Sequence, residues 1–148
     1  AQSGRLWLGE LLLAAGRVDE AAAHYEIALR SHPDDPRAQL GEAWVLLQRG
    51  DAGGALRRFQ QIARRDGDIQ ALFGSGLALV QLGRDREAEP VFSDVLVREP
   101  GYWQAWGNLG EIRDRAGRIE EAREAYQRLL QAQPADARAR AWLAAHPR

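Results

Sequence analysis

The sequence predicts an all-α solenoid of four helix pairs followed by a capping helix. Two observations carry that expectation. Gly16, Gly50, Gly83 and Gly117 recur at intervals of 34, 33 and 34 residues. Five residues after each comes an alanine and four beyond that an aromatic ring: Ala21 and Tyr25, Ala55 and Phe59, Ala88 and Phe92, Ala122 and Tyr126. A period of this size marks stacked supersecondary units rather than one globular core, so function is expected on a surface that neighbouring repeats build together.

Within each repeat the elements follow in a fixed order. An apolar stretch precedes the glycine and forms the first helix, and the glycine makes a tight turn. The alanine and ring, spaced i, i+4, share one stripe of the second helix. Seven residues before each glycine stands a small residue, Gly9, Ala43, Gly76 or Gly110, expected to let the first helix approach the second closely at the alanine. Pro33, Pro100 and Pro134 stop the second helices, because proline has no N–H to donate and clashes with the preceding turn. In the second repeat Gly67 takes that place, since glycine leaves a helix readily at positive φ. The repeats are therefore set at residues 2–35, 36–68, 69–102 and 103–136. Residues 137–148 begin like another first helix, with Ala139, Trp142 and Leu143 on one face, and read as a cap that presents Arg138, Arg140 and Arg148 to water.

The pattern resembles the tetratricopeptide repeat family, whose 34-residue period carries Trp, Leu-Gly and Tyr, then Ala, an aromatic and Pro. The fourth repeat matches most fully, with Trp106, Leu109, Gly110, Ala122, Tyr126 and Pro134. The first has Leu8, Gly9, Ala21, Tyr25 and Pro33 but Arg5 at the Trp position, and the third has Leu72 there, then Gly76, Ala88, Phe92 and Pro100. The second is one residue short and places Gln39 and Glu42 where apolar residues are usual. The resemblance implies one domain over residues 1–148, an all-α right-handed α-solenoid of four helix pairs plus a C-terminal capping helix.

Composition sets limits. The 148 residues are 45% apolar and 28% charged with a net charge of -1, a globular balance. No apolar run approaches the length of a membrane span. All 20 basic residues are arginine and Asn108 is the only asparagine, a bias expected of a GC-rich, bacterial gene. The absence of cysteine excludes disulfides and thiolate chemistry and fits cytoplasm and periplasm equally. Ala1 follows no initiator Met, and Leu6 and Trp7 enter the first helix within a few residues, so a segment of a longer protein or a processed chain is expected.

Catalysis has little to stand on. Nucleophilic chemistry needs a Ser, Cys or Thr held by a base. Of the three histidines, His32 and His146 precede prolines at element ends and His24 lies within a second helix, none with a partner at metal-ligand spacing. The glycines fall at helix ends and close contacts, and no strand leads into a Gly-rich phosphate loop. No enzyme activity, metal or cofactor is therefore expected. Arg57, Arg58, Arg64 and Arg65 gather on the second helix of repeat two and offer a phosphate or an acidic partner two or three guanidinium groups. The repeats carry -3, +2, -2 and -1 and the cap +3. A basic footprint is local at best, and the ordinary reading is a solvated face paired with nearby acids, with no nucleic-acid partner.

By the resemblance, the first helices line the concave surface, through the second, fifth, sixth, ninth, twelfth and thirteenth residues of each repeat. Those places hold Leu6, Trp7 and Leu13, then Leu40, Trp44 and Leu47, then Phe73, Leu77 and Val80, whereas the fourth repeat holds Gln104, Asn108, Glu111, Asp114 and Arg115. The groove is expected to pass from apolar to polar. Relatives that grip a C-terminal carboxylate use Lys and Asn on this face; Leu6, Glu10, Gly41, Gln70 and Gly74 stand in those places, so that clamp is absent. Leu13, Leu47 and Val80 also fit packing inside a helix pair, and Leu6 and Trp7 fit contact with an upstream segment. Leu6, Trp7, Leu40, Trp44, Phe73, Leu77, Asn108 and Glu111 are the candidate partner-binding residues. The expected function is a non-catalytic protein-interaction scaffold whose groove takes a protein or peptide with apolar anchors. The alternatives are a substrate-recruiting or regulatory arm of a larger enzyme, and self-association through the inner face.

Overall fold

The computed structural model describes residues 2–148, which contain nine α-helices and no strand. They are α1 (Gln2–Ala14), α2 (Val18–Ser31), α3 (Pro36–Gln48), α4 (Ala52–Asp66), α5 (Ile69–Gln81), α6 (Asp85–Arg98), α7 (Trp103–Arg115), α8 (Ile119–Ala132) and α9 (Ala137–Ala145). Every expected helix, turn and stop is present. The chain forms two compact units, one through Arg84 with α1–α5 and one from Asp85 with α6–α9.

The four glycine turns share one geometry. Gly16, Gly50, Gly83 and Gly117 have φ of 76°, 87°, 73° and 76°. In the first, the Gly16 N–H donates to the Leu13 carbonyl at 3.0 Å and the Arg17 N–H to the Leu12 carbonyl at 2.8 Å. This paired closure satisfies carbonyls that a helix end otherwise leaves open, and it needs a left-handed residue at its centre. The same two bonds recur at the other three turns.

Second helices stop as the sequence suggests: α2, α6 and α8 end two residues before Pro33, Pro100 and Pro134, and α4 ends at Gly67 with φ 64°. Four helix starts are set by aspartates. Asp35, Asp51, Asp68 and Asp136 each accept a backbone N–H from the first turn of the helix that follows, a standard cap. One feature runs against local preference: Pro90 lies inside α6, where it cannot donate to the preceding turn, yet the helix continues to Arg98.

The first unit packs α2 against α1 and α3, and α4 against α3 and α5, with α1 also touching α3. Its core gathers Leu6, Leu12, Ala21, Tyr25, Ala28, Ala38 and Val45. In the second unit α7 meets α6 and α8, and α9 lies on α8. Ala122, Tyr126, Leu129, Ala139 and Trp142 are buried together, with Leu143 packed against them.

At two of the small residues of the first helices the nearest neighbour across the helix pair is the aromatic ring. A Cβ at Gly9 would stand 2.9–3.2 Å from the Tyr25 ring, and one at Gly110 2.7–2.9 Å from Tyr126. These glycines make room for the aromatic ring one turn beyond the alanine. The following first helix yields to the ring as well: a Cβ at Gly41 would collide with Tyr25, and one at Gly74 would lie 2.5 Å from Phe59.

Candidate functional site

In the first unit Tyr25 is sandwiched between α1 and α3, and above it those two helices enclose an open recess of about 420 Å³. Leu13 of α1 and Leu40 and Trp44 of α3 supply its apolar walls, with Gln48 and Gln70 at the edge. Trp44 is held edge-on against the buried Phe59 ring, centroids 4.8 Å apart, and stays partly exposed. Glu10 and Arg37 close the rim: Arg37 donates to Glu10 Oε1 from Nη2 at 2.7 Å and Nε at 3.2 Å. The Tyr25 hydroxyl is buried without a hydrogen-bond partner. Burial pushes its pKa up to about 12, with Glu10 adding to the rise and Arg37 opposing it. The phenol is therefore neutral at physiological pH.

The second unit repeats this device. Glu111 of α7 accepts from Arg138 of α9 at 2.5 Å, and the pKa of Tyr126 is raised by burial and then by Glu111. Here, however, Trp142 packs on Tyr126 at 4.9 Å and stacks on His146. Arg123 is buried beside it, donating to the His146 carbonyl and to Glu120. The last helix is thus fastened at its end.

The expected binding residues divide. Leu40 and Trp44 line the recess. Leu6 does not: it is 2% exposed, inside the core cluster with Leu12 and Tyr25. Phe73 is also buried, at 8%. In α1 and α5 this fifth residue lies one turn before the small eighth residue, Gly9 or Gly76, and shares its inward stripe, whereas Leu40, at the same place in α3, stays partly exposed beside the recess. Trp7, one residue further round, is 61% exposed and outside the recess, forming with Leu8 and Leu11 an exposed apolar stretch of α1. Leu77 is partly exposed. Asn108 donates to the Gln104 carbonyl at 3.0 Å, and Glu111 is engaged by Arg138. Of the residues left open, Leu13 reaches the recess, Leu47 is buried and Val80 is partly buried.

The sequence pattern identified Tyr25 as a packing ring and not as part of a site, and the Glu10–Arg37 pair was not singled out. A signal for the pair exists: glutamate and arginine stand 27 residues apart in both units. Of the arginines on α4, Arg58 pairs with Glu42 and Arg65 with Asp66. No helix among the described residues is long and apolar enough to cross a membrane, and no cluster of potential metal ligands occurs among them.

Comparison with known proteins bears on this arrangement. A family profile described as tetratricopeptide repeat matches residues 6–69, 40–95, 73–137 and 113–146. Chicken (Gallus gallus) DnaJ homolog subfamily C member 3 is 30% identical over 96 residues, covering 65% of this chain and 19% of its own length. The Arabidopsis thaliana CTR9 homolog is 32% identical over 126 residues, covering 84% and 12%. The chain thus spans less than a fifth of either relative. Among solved structures, YrrB, described as a TPR protein with an unusual peptide-binding site, superposes with a TM-score of 0.74 at 24% identity, over 95% of this chain and 73% of its own. MamA from Desulfovibrio magneticus superposes with a TM-score of 0.75 at 22% identity, over 93% and 78%. At these identities the structural likeness establishes the fold alone.

Proposed function

The chain belongs to the tetratricopeptide repeat family, and from that premise we propose that it is a non-catalytic scaffold, a single repeat domain over residues 1–148, that binds a segment of another protein on the inner face of its first helices. Family membership implies a protein-interaction scaffold. The observation that carries the finer reading is the recess between α1 and α3, where Leu40 and Trp44 stand partly exposed at the side of an open cavity. Partly exposed tryptophan beside aliphatic residues is the composition of an interaction hot spot. Leu40, Trp44 and Leu13 are the anchors in this reading. Leu77 is a further binding residue of the first unit, with Leu6 and Phe73 acting beneath as support, and Asn108 and Glu111 are the binding residues of the second unit in this reading.

The experiment compares capture of cellular proteins by the wild-type chain, by Trp44→Ala and by Arg64→Glu/Arg65→Glu. Loss of a hot-spot tryptophan weakens binding by about 2 kcal/mol, roughly thirtyfold, and the arginine double variant retains the partner. Retention by Trp44→Ala with loss in the arginine variant would replace the groove by an acidic partner on α4. Two further readings each have an observation in their favour. The small share of its relatives that the chain spans favours a recruiting or regulatory arm of a larger protein. The exposed Trp7, Leu8 and Leu11 favour self-association, which light scattering across concentration decides.

A further inference from the structure

The later first helices share a stripe that a neighbouring second helix covers. Counted from each helix's first residue, the third is Ala38, Ala71, Ala105 or Ala139, all fully buried, and the tenth is Val45, Ala78 or Ile112, also buried. In α3, Ala38 and Val45 pack with Tyr25 and Ala28 of α2. In α9, Ala139 and the sixth residue, Trp142, are buried with Ala122, Tyr126 and Leu129 of α8, and the seventh, Leu143, packs against them.

On α1 the same places are open. Gly4 has no atom within 4 Å of where a Cβ would stand, and Trp7, Leu8 and Leu11 are 61%, 40% and 46% exposed. Residues at i, i+3, i+4 and i+7 form one helical face, so these four make a continuous stripe. An apolar stripe left in water marks a contact surface.

The packing of α9 identifies what fits that stripe. It shares a run with α1, Arg140-Ala141-Trp142-Leu143 against Arg5-Leu6-Trp7-Leu8, with tryptophan sixth and a small residue third in both helices. α8 receives the arrangement by setting Tyr126 against the indole, centroids 4.9 Å apart. α1 carries Leu11 where α9 has ended and His146 follows, so it offers the site more apolar surface. It has Ser3 in place of Arg138, whose bond to Glu111 is a partly exposed ion pair of small worth. Tethering keeps α9 on α8 in the free chain, but at nine residues it is too short to persist as a helix once released.

We propose that the face of α8 beneath α9 is a docking site for α1 of a second copy: when α9 leaves, Trp7 of that copy takes the place of Trp142 over Tyr126, and copies join head to tail. α9 is then an intramolecular substitute for the partner. The proposal rests on the self-association reading of the exposed α1 stretch, and the contact is heterologous, α1 of one copy on α8 of another.

Sedimentation equilibrium over a concentration series tests this on the full chain. Trp142→Ala should release α9, read as tryptic cleavage after the exposed Arg138 and Arg140, and should associate where dilute wild type stays monomeric. Adding Trp7→Ala should weaken that association about thirtyfold, yet the double variant should still bind wild type one to one, through its open α8 and the wild-type α1. Adding Trp44→Ala instead should change nothing. In wild type itself, amide exchange of α9 should quicken as concentration rises, and in Trp7→Ala it should not. A chain ending at Asp136 should associate as the release variant does. If the release variant and the shortened chain both stay monomeric, or if association is indifferent to Trp7→Ala, the proposal is overturned. Trp7-dependent association of wild type with α9 still protected overturns it as well, because α1 faces would then pair with each other. Association lost in Trp44→Ala would put the contact between copies in the groove, overturning the α8 site while leaving the groove reading standing.

Discussion

The two units carry the same three-residue device with opposite outcomes. In each, a glutamate on one first helix accepts from an arginine at the second residue of a later helix, above a buried tyrosine. The difference lies four residues beyond the arginine. The sixth residue of α3 is Gly41, which leaves Tyr25 space against the backbone and an open recess above it. The sixth residue of α9 is Trp142, whose indole packs on Tyr126. Further along, the ninth residue is Trp44 in α3 and Ala145 in α9. One repeat thus turns its tryptophan toward the recess and the other turns it into the core. A binding position and a terminal cap are built from one framework by moving a single large ring.

The largest effect that would break this comparison is removal of the inward ring. Trp142→Ala should cost about 3–5 kcal/mol in urea denaturation, the usual range for emptying a buried aromatic site, whereas Trp7→Ala, on an exposed ring, should stay within about 0.5 kcal/mol. Similar losses for both would mean that α9 contributes no core of its own.

The glycines provide a finer contrast. Gly41→Ala should destabilise by about 3 kcal/mol, because its methyl would overlap the confined ring of Tyr25. At Gly107 a Cβ meets the guanidinium end of Arg138, which can swing away, with Leu129 at 3.4 Å. Gly107→Ala should therefore remain within about 1 kcal/mol of wild type, helped by the better helix propensity of alanine. Equal costs at the two positions would show that ring packing does not distinguish the units.

Much of this was legible in the sequence because it is local. A residue held at φ near 76° must be small, and a ring four residues after an alanine falls on the same helical stripe. What escaped depends on helix phase and on the next repeat. Leu6 and Trp7 are adjacent, yet the rotation of about 100° per residue puts the first in the core and the second in solvent. The recess needs Gly41 and Arg37 from the repeat that follows Glu10 and Tyr25, so no single repeat contains it. The aspartate caps were visible at Asp35, Asp51, Asp68 and Asp136 and would have fixed the starts of four helices.

The smallest expected effect is electrostatic and confined to the second unit. The hydrogen bond from Arg118 holds the Glu89 carboxyl below the usual carboxylate range; burial opposes this and Arg113 adds to it. A carboxylate whose pKa is depressed on folding contributes stability above its unfolded pKa, and the contribution fades as pH falls through the folded value. Glu89→Gln should cost about 1 kcal/mol at neutral pH, and its difference from wild type should shrink as denaturation is followed below about pH 4.3. A difference constant with pH would assign the effect to packing.

The most direct measurement follows the five tryptophan indole N–H resonances by NMR, assigned by single Trp→Phe variants, as a peptide segment of a captured partner is titrated into the intact chain. The resonance of Trp44 should move progressively with peptide while that of Trp142 stays in place, since one ring faces the recess and the other is locked between Tyr126 and His146. Movement of Trp142, Trp103 or Trp106 with Trp44 unchanged would contradict the account and place the binding surface in the second unit.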